Sequence, residues 1–371
     1  MNSKISRRNF LKATAASALG VAASAAIGTQ TQKALAEEPE FKQSIKPVVP
    51  GVAGVVDRAA LPTLAWDDPT VALKVRWSGV NFYEFVLPDG TAIVMDPYFD
   101  DPNDEHNEFK YTPTDLPGGE WVYGADYVLL THGHFDHTGE LGSVLQKYPA
   151  AHVILPENTL PSVVIKQKIN YSGHYFSEAG AHDLFELHGF KLETIRSNHN
   201  CSKFPVADEL DTSKYVDENG KVDFYKLHAM IYEREIMNMK ITTDTGFTVL
   251  IWNSEMHADG YGFETRPYFY KNAQPDLFMY QVAGASLGYD RRNPTTDHMG
   301  NWIASVQAKA ALPEHQQHFS YDELDSMATA FAENCNAQQV GTQFLTPETG
   351  VWYGYVKNGD GSVSVCQLEN P

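Results

Sequence analysis

The chain has 371 residues, 43% hydrophobic and 20% charged, the composition of a folded globular protein and not of a disordered one. Its formal net charge is −19, and the first 36 residues hold five bases and no acid, so the remainder is more acidic still. Such a surface repels phosphate backbones and anionic lipid heads, which argues against nucleic-acid and membrane-surface partners.

The amino terminus reads as an address. Ser6-Arg7-Arg8-Asn9-Phe10-Leu11-Lys12 resembles the twin-arginine export motif, an apolar stretch from Ala13 to Ile27 follows, and Ala34-Leu35-Ala36 offers an A-x-A cleavage site. Residues 1–36 are therefore expected to be a signal peptide handled by the twin-arginine export machinery, with the mature protein periplasmic or secreted. The apolar stretch is short and rich in Ala, Gly and Ser, so no stable membrane anchor is expected in the mature form. Residues 37–70, rich in Pro, Glu, Val and Ala without a sustained period, read as a linker or arm, and 71–371 as the folded domain.

Ala72–Trp77 and Asn81–Val86 alternate as strands do, with Pro88-Asp89-Gly90 as the following turn. Thr91–Met95 is a buried strand ending at Asp96-Pro97, and Ala125–Leu130 is another. A helix is expected over Gly139–Lys147, then strands at His152–Leu155, Lys191–Arg196, Phe247–Trp252 and Leu277–Val282. Helices follow over His298–Ala310 and Tyr321–Glu333, the second opened by Ser320 as N-cap. A hairpin over about 350–368 closes the chain. Strands in a hairpin series, then alternating with helices, indicate a mixed α/β (α+β) domain with helices outside sheet. Two segments, Glu157–His188 and Tyr261–Tyr270, read equally as lids or as packing. Of three cysteines, Cys335 and Cys366 can pair in an oxidising compartment and leave Cys201 free, or all three remain thiols.

The strand Ala125–Leu130 runs into Thr131-His132-Gly133-His134-Phe135-Asp136-His137. A chain leaving a strand in extended form turns His132, His134 and Asp136 to one side, and His137 joins them if a helix starts there. Three imidazoles and a carboxylate within six residues suit a divalent metal, zinc first, with manganese and iron also compatible.

H-x-H-x-D-H, as His132, His134, Asp136 and His137 spell it, resembles the signature of the metallo-β-lactamase superfamily. Val94-Met95-Asp96-Pro97, the segment Ala311–Phe319 with its H-x-x-x-F, and Asp297-His298-Met299 resemble most the branch of ascorbate-6-phosphate lactonases and N-acyl phosphatidylethanolamine phospholipase D. The resemblance implies an αββα sandwich of two mixed sheets with helices on the outer faces. It implies a site of one or two metal ions, the first on His132, His134 and His199, the second on Asp136, His137 and His315, with His318 as rival to His315. Glu255 stands where the superfamily places a bridging Asp, and His257 is the alternative there. Asp96 is expected to orient a ligand histidine. His298 is a further candidate near the substrate.

The expected chemistry is hydrolysis of a small-molecule lactone, ester or phosphodiester by water that the metal makes acidic, with Asp136 taking its proton. A β-lactamase fits the motifs less well. Gly284-Ala285-Ser286-Leu287-Gly288 fits G-x-S-x-G, but Tyr289–Pro294 is a poor helix opening for a serine nucleophile. The non-enzymatic alternative is a metal-binding or interaction protein on a degenerate hydrolase scaffold, for which Glu255 is the best support.

Overall fold

The computed structural model describes residues 51–98, 122–157, 159–166, 168–198, 235–253, 274–282, 296–316 and 319–371. The chain divides after Lys46, and every described residue lies in the unit Pro47–Pro371. Its frame is two β-sheets. The nine-stranded sheet runs β2 (Thr63–Leu64), β17 (Val363–Leu368), β16 (Trp352–Lys357), β3 (Val71–Gly79), β4 (Phe82–Val86), β5 (Ala92–Met95), β6 (Tyr127–Leu129), β7 (His152–Pro156) and β8 (Tyr175–Ala179). The eight-stranded sheet runs β1 (Gly54–Val55), β15 (Gln343–Phe344), β14 (Ala310–Glu314), β13 (Leu277–Gln281), β12 (Thr248–Trp252), β11 (Glu235–Thr243), β10 (Phe190–Asn198) and β9 (Leu184–Leu187).

Both sheets are mixed. Hairpin-linked strands pair antiparallel, as in β3 with β4 and β4 with β5, while β5 to β8 and β12 to β15 pair parallel. Strand alternation explains the layering. Leu73, Val75, Ile93 and Met95 of one sheet meet Met239, Ile241, Val249, Ile251, Leu277 and Met279 of the other in the central core. The intervening residues face outward and need cover. On the eight-stranded sheet, Leu250, Trp252, Phe278 and Tyr280 pack under α4 (Thr296–Val306) and α5 (Tyr321–Ala337). On the nine-stranded sheet, Val94, Val128 and Val153 pack under α2 (Leu141–Lys147) and α3 (Leu160–Lys166). The result is the αββα sandwich.

Several expectations shift. The linker is not a spacer throughout: within it, β1 pairs parallel with β15 and β2 with β17, so each extends a sheet edge. Glu157–His188 holds α3, β8 and β9, with β8 and β9 each closing one sheet edge, so its strands are packing. The helix read as far as Ala310 stops at Val306, because Gln307 turns left-handed (φ 56°) and the chain re-enters the sheet as β14. The helix read over Gly139–Lys147 starts two residues later, as α2, and a separate one-turn helix, α1 (Phe135–Thr138), precedes it. At Gly139 an added Cβ would lie 2.6 Å from the Tyr98 ring, so no larger side chain fits. Cys335 and Cys366 are buried free thiols in different clusters and form no disulfide; Cys201 and Tyr261–Tyr270 lie outside the described residues. Among the described residues no helix is long and apolar enough to cross a membrane.

Candidate metal centre

β5 and β6 are parallel neighbours, with Met95 paired to Leu129, so the residues after both strands emerge side by side. Asp96 leaves β5 in the left-handed region (φ 44°) while its N–H donates to Leu129 O at 3.0 Å. A non-glycine residue rarely adopts that conformation, and such positions concentrate at functional sites. The turn aims the fully buried Asp96 carboxylate into the histidine loop. It accepts from Thr131 N at 2.7 Å, from Thr131 Oγ1, and from His137 Nδ1 at 2.7 Å. A proton held on Nδ1 leaves the Nε2 lone pair of His137 free to ligate. Thr131 Oγ1 also lies 3.1 Å from His132 Nδ1 and orients that ring too.

The opposite sheet supplies the remainder. β14 ends at Glu314, and His315 follows it, again left-handed (φ 57°). Its ring reaches across the sandwich to His137, Nε2 to Nε2 at 2.9 Å. Asp136 Oδ2 lies 3.4 Å from His315 Nε2 and 3.7 Å from His137 Nε2. The ligand atoms of Asp136, His137 and His315 all fall within 4.8 Å of one another, a spacing that one ion can bridge. Beside them His132 Nε2 faces His134 Nδ1 at 3.0 Å, and the His132 and His137 ring centroids are 3.9 Å apart. A buried convergence of imidazole nitrogens around one carboxylate has the donor chemistry of a zinc, iron or manganese site.

Electrostatics follow from this crowding. For Asp136 burial acts upward, but the imidazoles of His137, His315 and His134 outweigh it and hold the carboxyl down at about 2. For His137 burial acts downward, and the carboxylates of Asp136 and Asp96 overcome it, raising the imidazole above its ordinary range. Glu314, fully buried, is pushed up to about 8 by burial and by the Asp96 charge, against one hydrogen bond from Asn253.

The structure thus brings together Asp96, His132, His134, Asp136, His137 and His315. His199, Glu255, His257 and His318 lie outside the described residues, as does Ser286; His298 falls within α4, but its side chain is not described. Sequence reasoning missed Asn81. It is buried between β3 and β4, accepts from His315 N at 2.8 Å through Oδ1, and places Nδ2 3.4 Å from His137 Nδ1. It also missed Glu314 and Asn253, joined by a 3.1 Å hydrogen bond. A carboxylate closing the apolar strand Ala310-Ala311-Leu312-Pro313, directly before His315, was the signal for Glu314.

Comparison with known proteins fits this geometry. Residues 124–187 match the metallo-beta-lactamase superfamily. A UPF0173 metal-dependent hydrolase of Koribacter versatilis is 33% identical over 85 residues, 23% of this chain and 32% of that protein. One from Anaeromyxobacter dehalogenans is 28% identical over 147 residues, 40% of this chain and 46% of that protein. The chain thus spans less than half the length of these relatives. In three dimensions it resembles a Veillonella parvula protein described as a possible metal-dependent hydrolase, with a TM-score of 0.50 at 12% identity, over 76% of this chain and 98% of the other.

Proposed function

We propose that this chain, of the metallo-beta-lactamase superfamily by its fold and its matched segment, is an exported metal-dependent hydrolase of lactones, esters or phosphodiesters. One observation carries the reading: Asp136, His137 and His315 converge from opposite sheets with their ligand atoms within 4.8 Å. His132, His134 and His137 with Asp136 and His315 would hold one or two divalent ions, zinc suiting the nitrogen-rich set best. Such an ion lowers the pKa of water to about 7 and polarises the oxygen on which charge develops. The chain's own groups do the remainder. Asp96 fixes the tautomer of His137 through the 2.7 Å bond to Nδ1. Asp136 stays ionised at neutral pH, and with 38% of its side chain exposed it is placed to accept a proton from the attacking water. Asn81 ties the two halves of the site together through His315 N.

The test is metal analysis of the purified protein, joined to turnover assays on lactones, phosphodiesters, simple esters and β-lactams with and without chelator. Bound metal with chelator-sensitive turnover of the first three classes is expected. Tight metal with no turnover on any class would replace this reading with that of a non-catalytic metal-binding protein. Export is tested by fractionating cells that express the wild type and the Arg7→Lys, Arg8→Lys double variant. Retention of the variant in the cytoplasm supports the twin-arginine route, and equal export of both refutes it.

A further inference from the structure

β14 lies between β13 and β15, and its carbonyls on the β15 side are taken in turn. Lys309 O accepts from Gln343 N and Ala311 O from Leu345 N, each at 3.0 Å. In a parallel pair this pattern is evenly spaced and advances two residues on both strands. The next rung therefore falls between Pro313 O and the N–H of residue 347. Residue 347 is a proline and has no N–H to give. The ladder stops there, two residues before His315, at a buried position where an unpaired carbonyl is costly.

Tyr83 supplies the missing donor. It stands on β4 among the inward-facing residues, fully buried, and its hydroxyl donates to Pro313 O at 2.6 Å across the sandwich. Two residues earlier in the same hairpin, Asn81 Oδ1 accepts from His315 N at 2.8 Å. The backbone leading into the histidine is thus held from the opposite sheet at two points, the carbonyl of residue 313 and the N–H of residue 315. The holding hairpin is itself fixed. Val80 is β-branched, fully buried and left-handed at φ 35°, a conformation such a residue rarely adopts and keeps only where its surroundings enforce it. Trp77 Nε1 helps to enforce it by donating to Val80 O at 3.0 Å. A constrained hairpin end therefore sets the position from which His315 presents Nε2 to His137.

We propose that Tyr83 is a positioning residue of the metal centre, which through Pro313 O holds His315 where it can share an ion with Asp136 and His137. The assignment rests on the metal centre proposed above. Cobalt(II) titration of the metal-stripped full chain tests it, because the visible bands of the ion report its ligand geometry and competition with a chromogenic chelator reports affinity. Tyr83→Phe removes only the hydroxyl, and should weaken cobalt binding about tenfold and shift the visible bands. Tyr355→Phe serves as the control. It takes from the same core, on β16, a buried hydroxyl that has no hydrogen-bond partner, and should leave both readings unchanged. Circular dichroism and melting curves establish that each variant is folded; if Tyr83→Phe is not, Tyr83→Met, an adaptable apolar side chain that also lacks the hydroxyl, decides. Wild-type affinity and bands in the folded Tyr83 variant would overturn the proposal and leave the metal centre standing. Equal losses in Tyr355→Phe would overturn it too, since the effect would then be a general softening of the core. A wild type that binds no cobalt would overturn the metal centre itself, and this assignment with it.

Discussion

At Asp96 the carboxylate accepts from three groups of the histidine loop at once, Thr131 N, Thr131 Oγ1 and His137 Nδ1. Asp96→Asn keeps the size but can turn an NH2 toward His137 Nδ1, which forces the imidazole proton onto Nε2, the atom needed for the metal. Metal affinity should fall roughly 10- to 100-fold, read by competition with a chromogenic chelator, while the far-ultraviolet dichroism is unchanged. Glu314 makes a pH prediction of opposite sign to an ordinary surface carboxylate. Its folded value of about 8 lies above its usual 4.5, so the folded state binds the extra proton between these limits. Stability is therefore greatest below about 4.5 on this account and falls as pH rises through about 8. Glu314→Gln should lack this decline and show a higher denaturation midpoint than the wild type at pH 9, with the difference narrowing toward pH 5. The loop residues were legible in the sequence because ligand chemistry is local there, with four candidates inside six positions. Asn81, Asn253 and Glu314 were not, since each acts through a partner far along the chain, as Asn81 does on His315 at a separation of 234 residues.

Elements rather than atoms decide the next outcomes. β3 and β4 are stitched on their outer face by Arg76 and Glu84, both buried, with the Arg76 Nε to Glu84 Oε2 bond at 2.7 Å. Tyr123 N adds a 2.7 Å bond to the same carboxylate, and the guanidinium lies 4.7 Å over the Trp352 ring. Removing Arg76 leaves the buried Glu84 charge without its counter-ion. Arg76→Met should cost about 3–5 kcal/mol in denaturant unfolding, although the residue lies outside the histidine cluster. α5 opens with a capping box in which Ser320 and Glu323 answer each other's backbone N–H groups. Ser320→Ala should lower stability by about 1 kcal/mol and leave metal content unchanged. The cap was readable in advance because S-x-x-E is local. The need for a glycine at 139 was not, because the Tyr98 ring that a Cβ there would meet comes from 41 residues upstream in sequence.

For the whole molecule, the layered architecture followed from period-two patterns in the sequence, since each inward row demands a facing row and each outward row a helix. The edge strands β1 and β2 escaped detection: two residues carry no period, and only the exposed edge of an existing sheet makes them strands. The candidate ligands come from the loop after β6 in one sheet and the end of β14 in the other, so a bound ion would clamp the sheets together. Chelation should then raise hydrogen exchange in β6, β14 and the residues that follow them, with little change at the far hairpin of β16 and β17. Equal protection throughout would show that the ion contributes nothing to closure.

That span between ligands also sets a time. His137 and His315 are 178 residues apart in the chain. At roughly 5–20 residues per second, a ribosome needs about 9–36 s after making the first to deliver the second. During that interval the histidine loop exists without its cross-sheet partner and offers an incoming ion only part of its grip. Full retention of metal thus becomes a mark of completed folding, and a chain stalled before residue 315 should release its ion readily to a competing chelator.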